Sequence, residues 1–346
     1  MAKAYLILEN GRIFEGERFG AHADVLGECV FTTGVVGYME TLTDKSNLGK
    51  IVVQTFPMIG NYGVQTEDAI GECLLSGYVV REACDMPSNF RSEMTLDEYM
   101  KMKGISGIQG VDTREITLIL RTEGAMNAAI VSQIPENLEF LKTNPEKYAV
   151  ARAGAKEKKV YPAKGEKKYS VALMDFGARE DTIRALQEKG IEVTAYPWDA
   201  TAEEILISNP DGIVLSEGPG NPQENEKVIH EVRNLIGKKP IFALGLGHQI
   251  LALSLGARTE KLPFGHRGDN YSVTKRLSGK LLLTSQNHGY TVIPASLPGE
   301  AVLVYENAWD YTCEGIDYPD LDAFSVQFIP RSEEYDRFIA MMGGEK

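Results

Sequence analysis

The sequence predicts an α/β chain of two domains: an N-terminal α+β domain over residues 1–150, a linker at 151–168, and a mostly parallel sheet flanked by helices over 169–346. Three observations carry this. The chain has 346 residues, beyond the roughly 250–300 at which a single hydrophobic core stops growing. A Lys- and Gly-rich stretch, ARAGAKEKKVYPAKGEKK, falls near its middle. Strand and helix patterns alternate after that stretch but not before it.

The first half opens with two alternating apolar runs around Asn10-Gly11, which reads as a hairpin over residues 1–20 with a type I′ turn. Strand-like runs follow at 28–33, 50–56 and 76–81, separated by Gly, Pro and Asn. Two helices are placed by their caps, Thr95 with Glu98 and Asp112 with Glu115. The second opens a stripe of Ile116, Ile119 and Leu120 that stops at Gly124.

Beyond the linker, strands at 169–177, 191–197, 212–216 and 240–244 alternate with helices at 179–189, 201–208, 225–236 and 248–255. Repeated βα units imply parallel strands covered on both faces. In such sheets ligands bind beyond the carboxyl ends of the strands. The turns after Ser216 and Leu244 therefore deserve the closest reading.

Composition narrows the function classes. The formal charge of −13 opposes nucleic-acid binding, since phosphates would be repelled. No apolar run approaches the roughly 20 residues that span a bilayer, and the N-terminus lacks a signal-peptide core, so a cytoplasmic location is expected. Cys29, Cys73, Cys84 and Cys313 are scattered and form no metal-spaced pair. Reduced, mostly buried thiols and no metal site are the expectation.

Ala243-Leu244-Gly245-Leu246-Gly247-His248-Gln249 has the layout of a nucleophile elbow, a sharp strand-to-helix turn that lifts one side chain above the sheet. The central position should hold Ser or Cys. It holds Gly245, which has no side chain.

Gly247-His248-Gln249-Ile250-Leu251-Ala252-Leu253, Ser216-Glu217-Gly218-Pro219-Gly220-Asn221-Pro222 and Ser285-Gln286-Asn287-His288-Gly289-Tyr290 together resemble a class I glutamine amidotransferase domain, which implies a flavodoxin-like sheet. Thr33-Gly34-Val35-Val36-Gly37-Tyr38, Gly60-Asn61-Tyr62-Gly63, Ser88-Asn89-Phe90-Arg91 and Asp112-Thr113-Arg114 are similar to the N-terminal domain of the carbamoyl phosphate synthetase small subunit. Asp175-Phe176-Gly177-Ala178-Arg179 and the run from Phe264 to Asn270 continue that resemblance.

The resemblance implies a Cys-His-Glu unit that releases ammonia from glutamine. The ammonia passes to a large subunit that makes carbamoyl phosphate for arginine or pyrimidine synthesis. ATP and metal are expected on that partner, with no cofactor in this chain. The three functional positions fall on Gly245, Ile329 and Arg331. Glycine cannot form a thioester, isoleucine cannot move a proton, and arginine donates where an imidazolium needs an acceptor. By analogy with a serine protease, losing such a unit lowers turnover on the order of a million-fold.

Family contacts to glutamine map onto Ser46, Gly218, Gly220, Leu246, Gln249, Asn287, Gly289 and Tyr290. Two readings stay open: glutamine is bound without being hydrolysed, or these residues persist because the turns need them. His248 and His288 sit in motifs the family carries beside its own base, and Cys313 has no elbow around it. The expected function is a glutaminase-deficient small subunit that docks on a large one and supports an ammonia-using synthetase. Its rivals are a glutaminase of non-standard arrangement and a glutamine-binding sensor.

Overall fold

In the computed structural model residues 2–143, 146–299 and 301–343 are described. The chain divides into two compact units, residues 1–147 with 263–268, and residues 148–262 with 269–346.

In the first unit β1 (Lys3–Leu8) and β2 (Ile13–Gly20) form the expected hairpin, with Ile7 opposite Ile13. Its turn differs from the expectation. Gly11 has φ of 87° but Asn10 stays out of the positive-φ region, and a four-residue connection closed by Leu8 N to Arg12 O (2.9 Å) replaces the type I′ form. The chain continues through β3 (Val25–Thr32), α1 (Tyr38–Thr43), β4 (Ile51–Gln54), β5 (Met58–Ile59), β6 (Gly77–Val79), β7 (Glu82–Ala83), α2 (Leu96–Lys103), β8 (Ser106–Gln109), α3 (Thr113–Glu123) and β9 (Met126–Val131). Seven strands close into a barrel in the order β1-β2-β8-β6-β4-β3-β9, and β5 pairs with β7 apart from it.

Period-two alternation builds this barrel. Cys29, Phe31, Ile51, Val53 and Val79 pack in one cluster with Ile116 and Leu120 of α3. Their neighbours Val30, Val52 and Tyr78 face the opposite way, toward Met39 and Leu42 of α1 and Leu96 and Met100 of α2. The caps act as predicted. Thr95 and Glu98 form a reciprocal capping box, and Asp112 Oδ1 accepts from the N–H groups of Arg114 and Glu115, each at 3.0 Å.

The second unit contains α4 (Ala149–Ala153), β10 (Lys159–Tyr161), β11 (Tyr169–Met174), α5 (Glu180–Glu188), β12 (Ile191–Tyr196), α6 (Ala202–Ile207), β13 (Gly212–Leu215), α7 (Glu226–Leu235), β14 (Ile241–Leu244) and α8 (Leu246–Ser254). They are followed by β15 (Thr259–Lys275), β16 (Lys280–Val292), β17 (Val302–Asn307), β18 (Cys313–Tyr318), β19 (Ala323–Val326) and α9 (Ser332–Met342). The ten-stranded sheet runs β10-β12-β11-β13-β14-β19-β18-β17-β15-β16. Its core β12-β11-β13-β14-β19 is parallel, the 2-1-3-4-5 order of flavodoxin-like sheets, and an antiparallel set from β18 onward extends it. Alternation again sorts the two faces. Ala172, Met174, Ile213 and Ala243 lie with α7 and α8, whereas Val171, Leu173, Val214 and Phe242 lie with α5 and α9.

Residues 151–168 are largely exposed, as expected, but they are built into the second unit and do not form a linker. Val150 and Ala153 of α4 are buried, and β10 pairs antiparallel with β12 as an edge strand. The lysine run is the wet side of that edge: Lys158 lies 4.5 Å from the Tyr196 ring centroid, and Lys164 and Lys167 pair with Glu188 and Glu192. No described helix is long and apolar enough to cross a membrane.

Candidate functional site

The site begins where β14 ends. All four residues of β14 are buried, and Phe242 stacks on Phe324 of β19 at 4.5 Å, a pair worth about 0.5–1.5 kcal/mol beyond the area it buries. This clamps the strand carrying the elbow to the strand that precedes Ile329 and Arg331. Leu244 lies opposite Val326, and Gly245 N donates to Val326 O at 3.0 Å.

Gly245 has φ 51° and ψ −108°, and α8 starts at the next residue. Side chains rarely adopt that conformation, which costs on the order of 1–3 kcal/mol when one does. The strained elbow is therefore present in shape while glycine relieves its strain. Two residues on, Gly247 N donates to Ser216 O at 3.0 Å, and a Cβ there would lie 2.3 Å from Leu215 O. Helix and strand approach too closely for any other residue.

The other two positions have taken up structural work. Ile329 is half-buried, and its N–H donates to Ser285 O at 2.9 Å. Arg331 is the N-cap of α9, where its N–H donates to Glu334 Oε2 at 2.9 Å and its guanidinium lies 3.3 Å from Glu333 and 3.5 Å from Glu334. Neither can accept or relay a proton.

No described histidine near the elbow replaces them. His248 is fully buried with Nδ1 2.8 Å from Ser325 Oγ, and burial lowers its pKa to about 3, so the ring is neutral. Cys313 Sγ lies 4.0 Å from its Nε2, yet burial raises that thiol far above its ordinary range. His288 places Nδ1 2.9 Å from Tyr290 O and Nε2 3.1 Å from Gln286 Oε1, which ties both ring nitrogens to carbonyl oxygens.

The glutamine-contact positions divide between the units. Ser46 belongs to the first, in the short turn Lys45–Asn47, where its N–H donates to Asp44 Oδ1 at 2.8 Å. The rest belong to the second. Gly218 and Gly220 are required by packing, because a Cβ would lie 2.5 Å from Phe176 O in one case and 2.7 Å from Ala149 Cβ in the other. Leu246 is the first residue of α8, so its N–H is among those a helix leaves without an internal partner. Asn287, Gly289 and Tyr290 lie on β16. Gln249 uses its amide internally: Nε2 donates to Tyr290 O and to Gln327 Oε1, both at 2.8 Å.

Two residues here were not assigned a role from sequence. Gln327 follows β19, and its Nε2 is buried with no hydrogen-bond partner among the described residues. Glu217 is buried at the end of β13, and its Cβ lies 3.1 Å from where a Cβ on Gly245 would stand. Thr182 Oγ1 donates to its Oε1, Oε2 has no partner among the described residues, and burial pushes the carboxyl up to about 7. An acidic residue inside the Ser-Glu-Gly-Pro-Gly turn was the available signal.

The flavodoxin-like sheet, the strained elbow after β14 and the glycine turn after β13 define a class I glutamine amidotransferase domain, and the profile of that class matches residues 172–334. The profile of the carbamoyl-phosphate synthase small chain, CPSase domain, matches residues 6–130. The carbamoyl phosphate synthase small chain of Clostridium perfringens is 44% identical over 335 residues, covering 95% of this chain and 94% of its own. The pyrimidine-specific small chain of Bacillus subtilis is 42% identical, covering 98% and 96%, and the small chain of Streptococcus pyogenes is 42% identical, covering 99% and 98%. The chain belongs to the carbamoyl-phosphate synthase small-chain family.

Proposed function

We propose that this chain serves carbamoyl phosphate synthesis as a small subunit that does not hydrolyse glutamine. It docks on a large subunit, which binds ATP and metal and draws on free ammonia in the cytoplasm. The observation that carries the reading is the side-chain-free Gly245 at an elbow whose backbone is otherwise intact. Ile329 and Arg331 support it, because a thiol alone would still lack its base and the group that orients the base. The sealed Cys313–His248 contact speaks against a relocated nucleophile, since a neutral thiol without access to substrate cannot attack an amide.

Partnership follows from kinship: the relatives are named small chains, and such a name implies a larger companion. The Bacillus subtilis relative is named for pyrimidine synthesis, one of the two pathways open to the product here. The test is co-purification with the large subunit of the same organism, then carbamoyl phosphate assays with ammonium and with glutamine. Ammonium should support synthesis, increasingly so as rising pH frees ammonia, and glutamine should not. Equal rates with glutamine would refute the reading.

A further inference from the structure

We infer that Glu217, beside the side-chain-free Gly245, makes this elbow a binding site for ammonium, the form that free ammonia mostly takes in neutral water; this deepens the reading that the synthetase draws on free ammonia and rests on it. Three features of the carboxyl point to a small cation. Glu217 is 9% exposed, so a charge on it is largely cut off from water. Its Oε1 accepts from Thr182 Oγ1, but its Oε2 has no hydrogen-bond partner among the described residues. No described cation forms an ion pair with it: Arg179 is bound to Asp181 instead, at 2.9 and 2.6 Å, and the charges of those two reach Glu217 with opposite sign. Tyr335 of α9, which also feels this carboxyl, is kept protonated by burial. A buried carboxylate in this state carries a desolvation cost that nothing around it offsets.

There is room beside it. A Cβ on Gly245 would lie 3.1 Å from Glu217 Cβ and 3.4 Å from its Cα. Apart from the glycine's own chain neighbours, no other described residue comes within 4 Å of that point. Gly245 is partly exposed, whereas Leu244 and Leu246 on either side of it are buried. The place where a longer side chain would stand is therefore bordered by Glu217 and lies next to solvent.

Ligand chemistry separates the candidates. Magnesium and calcium take six or more oxygen ligands and zinc takes four ligands, so a lone carboxylate with one oxygen already bonded offers too few. The amide of glutamine can donate to Oε2 but brings no charge to balance a carboxylate. Ammonium brings one positive charge and four N–H donors on an ion close in size to water. One donor satisfies Oε2 in a charge-assisted bond, and the open side leaves the others to water. Potassium matches it in charge but donates no hydrogen bond. Burial pushes the carboxyl up to about 7, so the ion and a proton compete for the same group near neutral pH.

The experiment follows urea unfolding of the isolated full chain at pH 8, where the carboxyl is ionised, in ammonium, potassium and sodium chloride at equal ionic strength. The wild type is compared with Glu217→Gln, which keeps the shape and loses the charge, and with the exposed control Glu224→Gln. In the wild type and the control the folding equilibrium constant should climb with ammonium, about tenfold at ten times the dissociation constant. Glu217→Gln should show no such gain. Absence of a gain in the wild type overturns the inference, and so does a gain that Glu217→Gln retains, which would place the ion elsewhere. An equal gain in potassium would reduce the site to one for any monovalent cation and overturn the assignment to ammonium. Stabilisation by glutamine with none from ammonium would give Oε2 to an amide, with the same result. All of these are read on the chain alone, whereas the ammonia-using synthetase is tested on the assembled enzyme, so failure of one is not mistaken for failure of the other.

Discussion

Two places in the second unit hold parts of a thiol-dependent site, and neither is complete. The elbow has the backbone: a strained turn, a helix N-terminus behind it and a neighbouring strand that delivers the next segment to the same edge. It has no sulfur. β18 has the sulfur, and Cys313 sits 4.0 Å from a histidine, but both are fully buried, the thiol is held neutral and the imidazole cannot be charged. Residue identity without access is as inert as geometry without a side chain.

The largest effect should come from returning the missing groups to the elbow. Gly245→Cys alone should release no glutamate above background, because nucleophile, base and orienting group act as a unit. With Ile329→His and Arg331→Glu added, the rate should rise about a hundredfold or more over the single variant. The new Cβ would meet Glu217 Cβ at 3.1 Å, so that neighbour must yield by a few tenths of an ångström. A silent triple variant, assayed by timed glutamate release, would show that the pocket itself has closed.

Glu217 tests how dry this edge of the sheet is. Burial raises its carboxyl from the ordinary 4.5 to about 7. Below pH 4.5 both folded and unfolded chains hold the proton and the group costs nothing. As pH climbs toward 7 the unfolded chain releases its proton first, and stability falls by about 1.4 kcal/mol per pH unit, to a plateau roughly 3 kcal/mol lower. Glu217→Gln should therefore stabilise the protein more at pH 8 than at pH 4.5, by about 2–3 kcal/mol in urea unfolding. An equal effect at both pH values would mean that water reaches the carboxyl.

Much of this was legible because it is local. Thr95 and Glu98 announce their helix three letters apart, and Gly245 is plain within its motif. Closure of the first unit's barrel was not legible, because β4, β6 and β8 pair in parallel across intervening loops and no short stretch records which strand meets which. The lysines around β10 misled for a related reason: the solvated surroundings of an edge strand have the composition of a linker. Glu217 was visible as a letter, but its raised pKa depends on burial, which the letters beside it do not record.

Smaller effects refine the contrast between the two places. Gln249→Ala removes the amide that joins α8 to Tyr290 and Gln327 and leaves buried acceptors behind, at a cost of about 2–3 kcal/mol in unfolding experiments. Should stability change little, that amide is free to meet a ligand after all. Cys313→Ala should cost about 1 kcal/mol and leave ammonia-dependent synthesis by the assembled enzyme unaltered. In the folded wild type a thiol reagent should label Cys313 only after denaturant is added.

The contact between Gly247 and Leu215 O bears on how such chains are read. Glycines at 218, 220 and 247 answer to close approaches of backbone or side chain that the sheet imposes whether or not any bond is ever broken. Within the signature shared by this class, those letters carry information about shape, and only the central letter of the elbow carries information about reaction. Selection could therefore stop guarding the chemistry while continuing to guard most of the signature. A chain in that condition goes on resembling a catalyst for as long as it goes on folding.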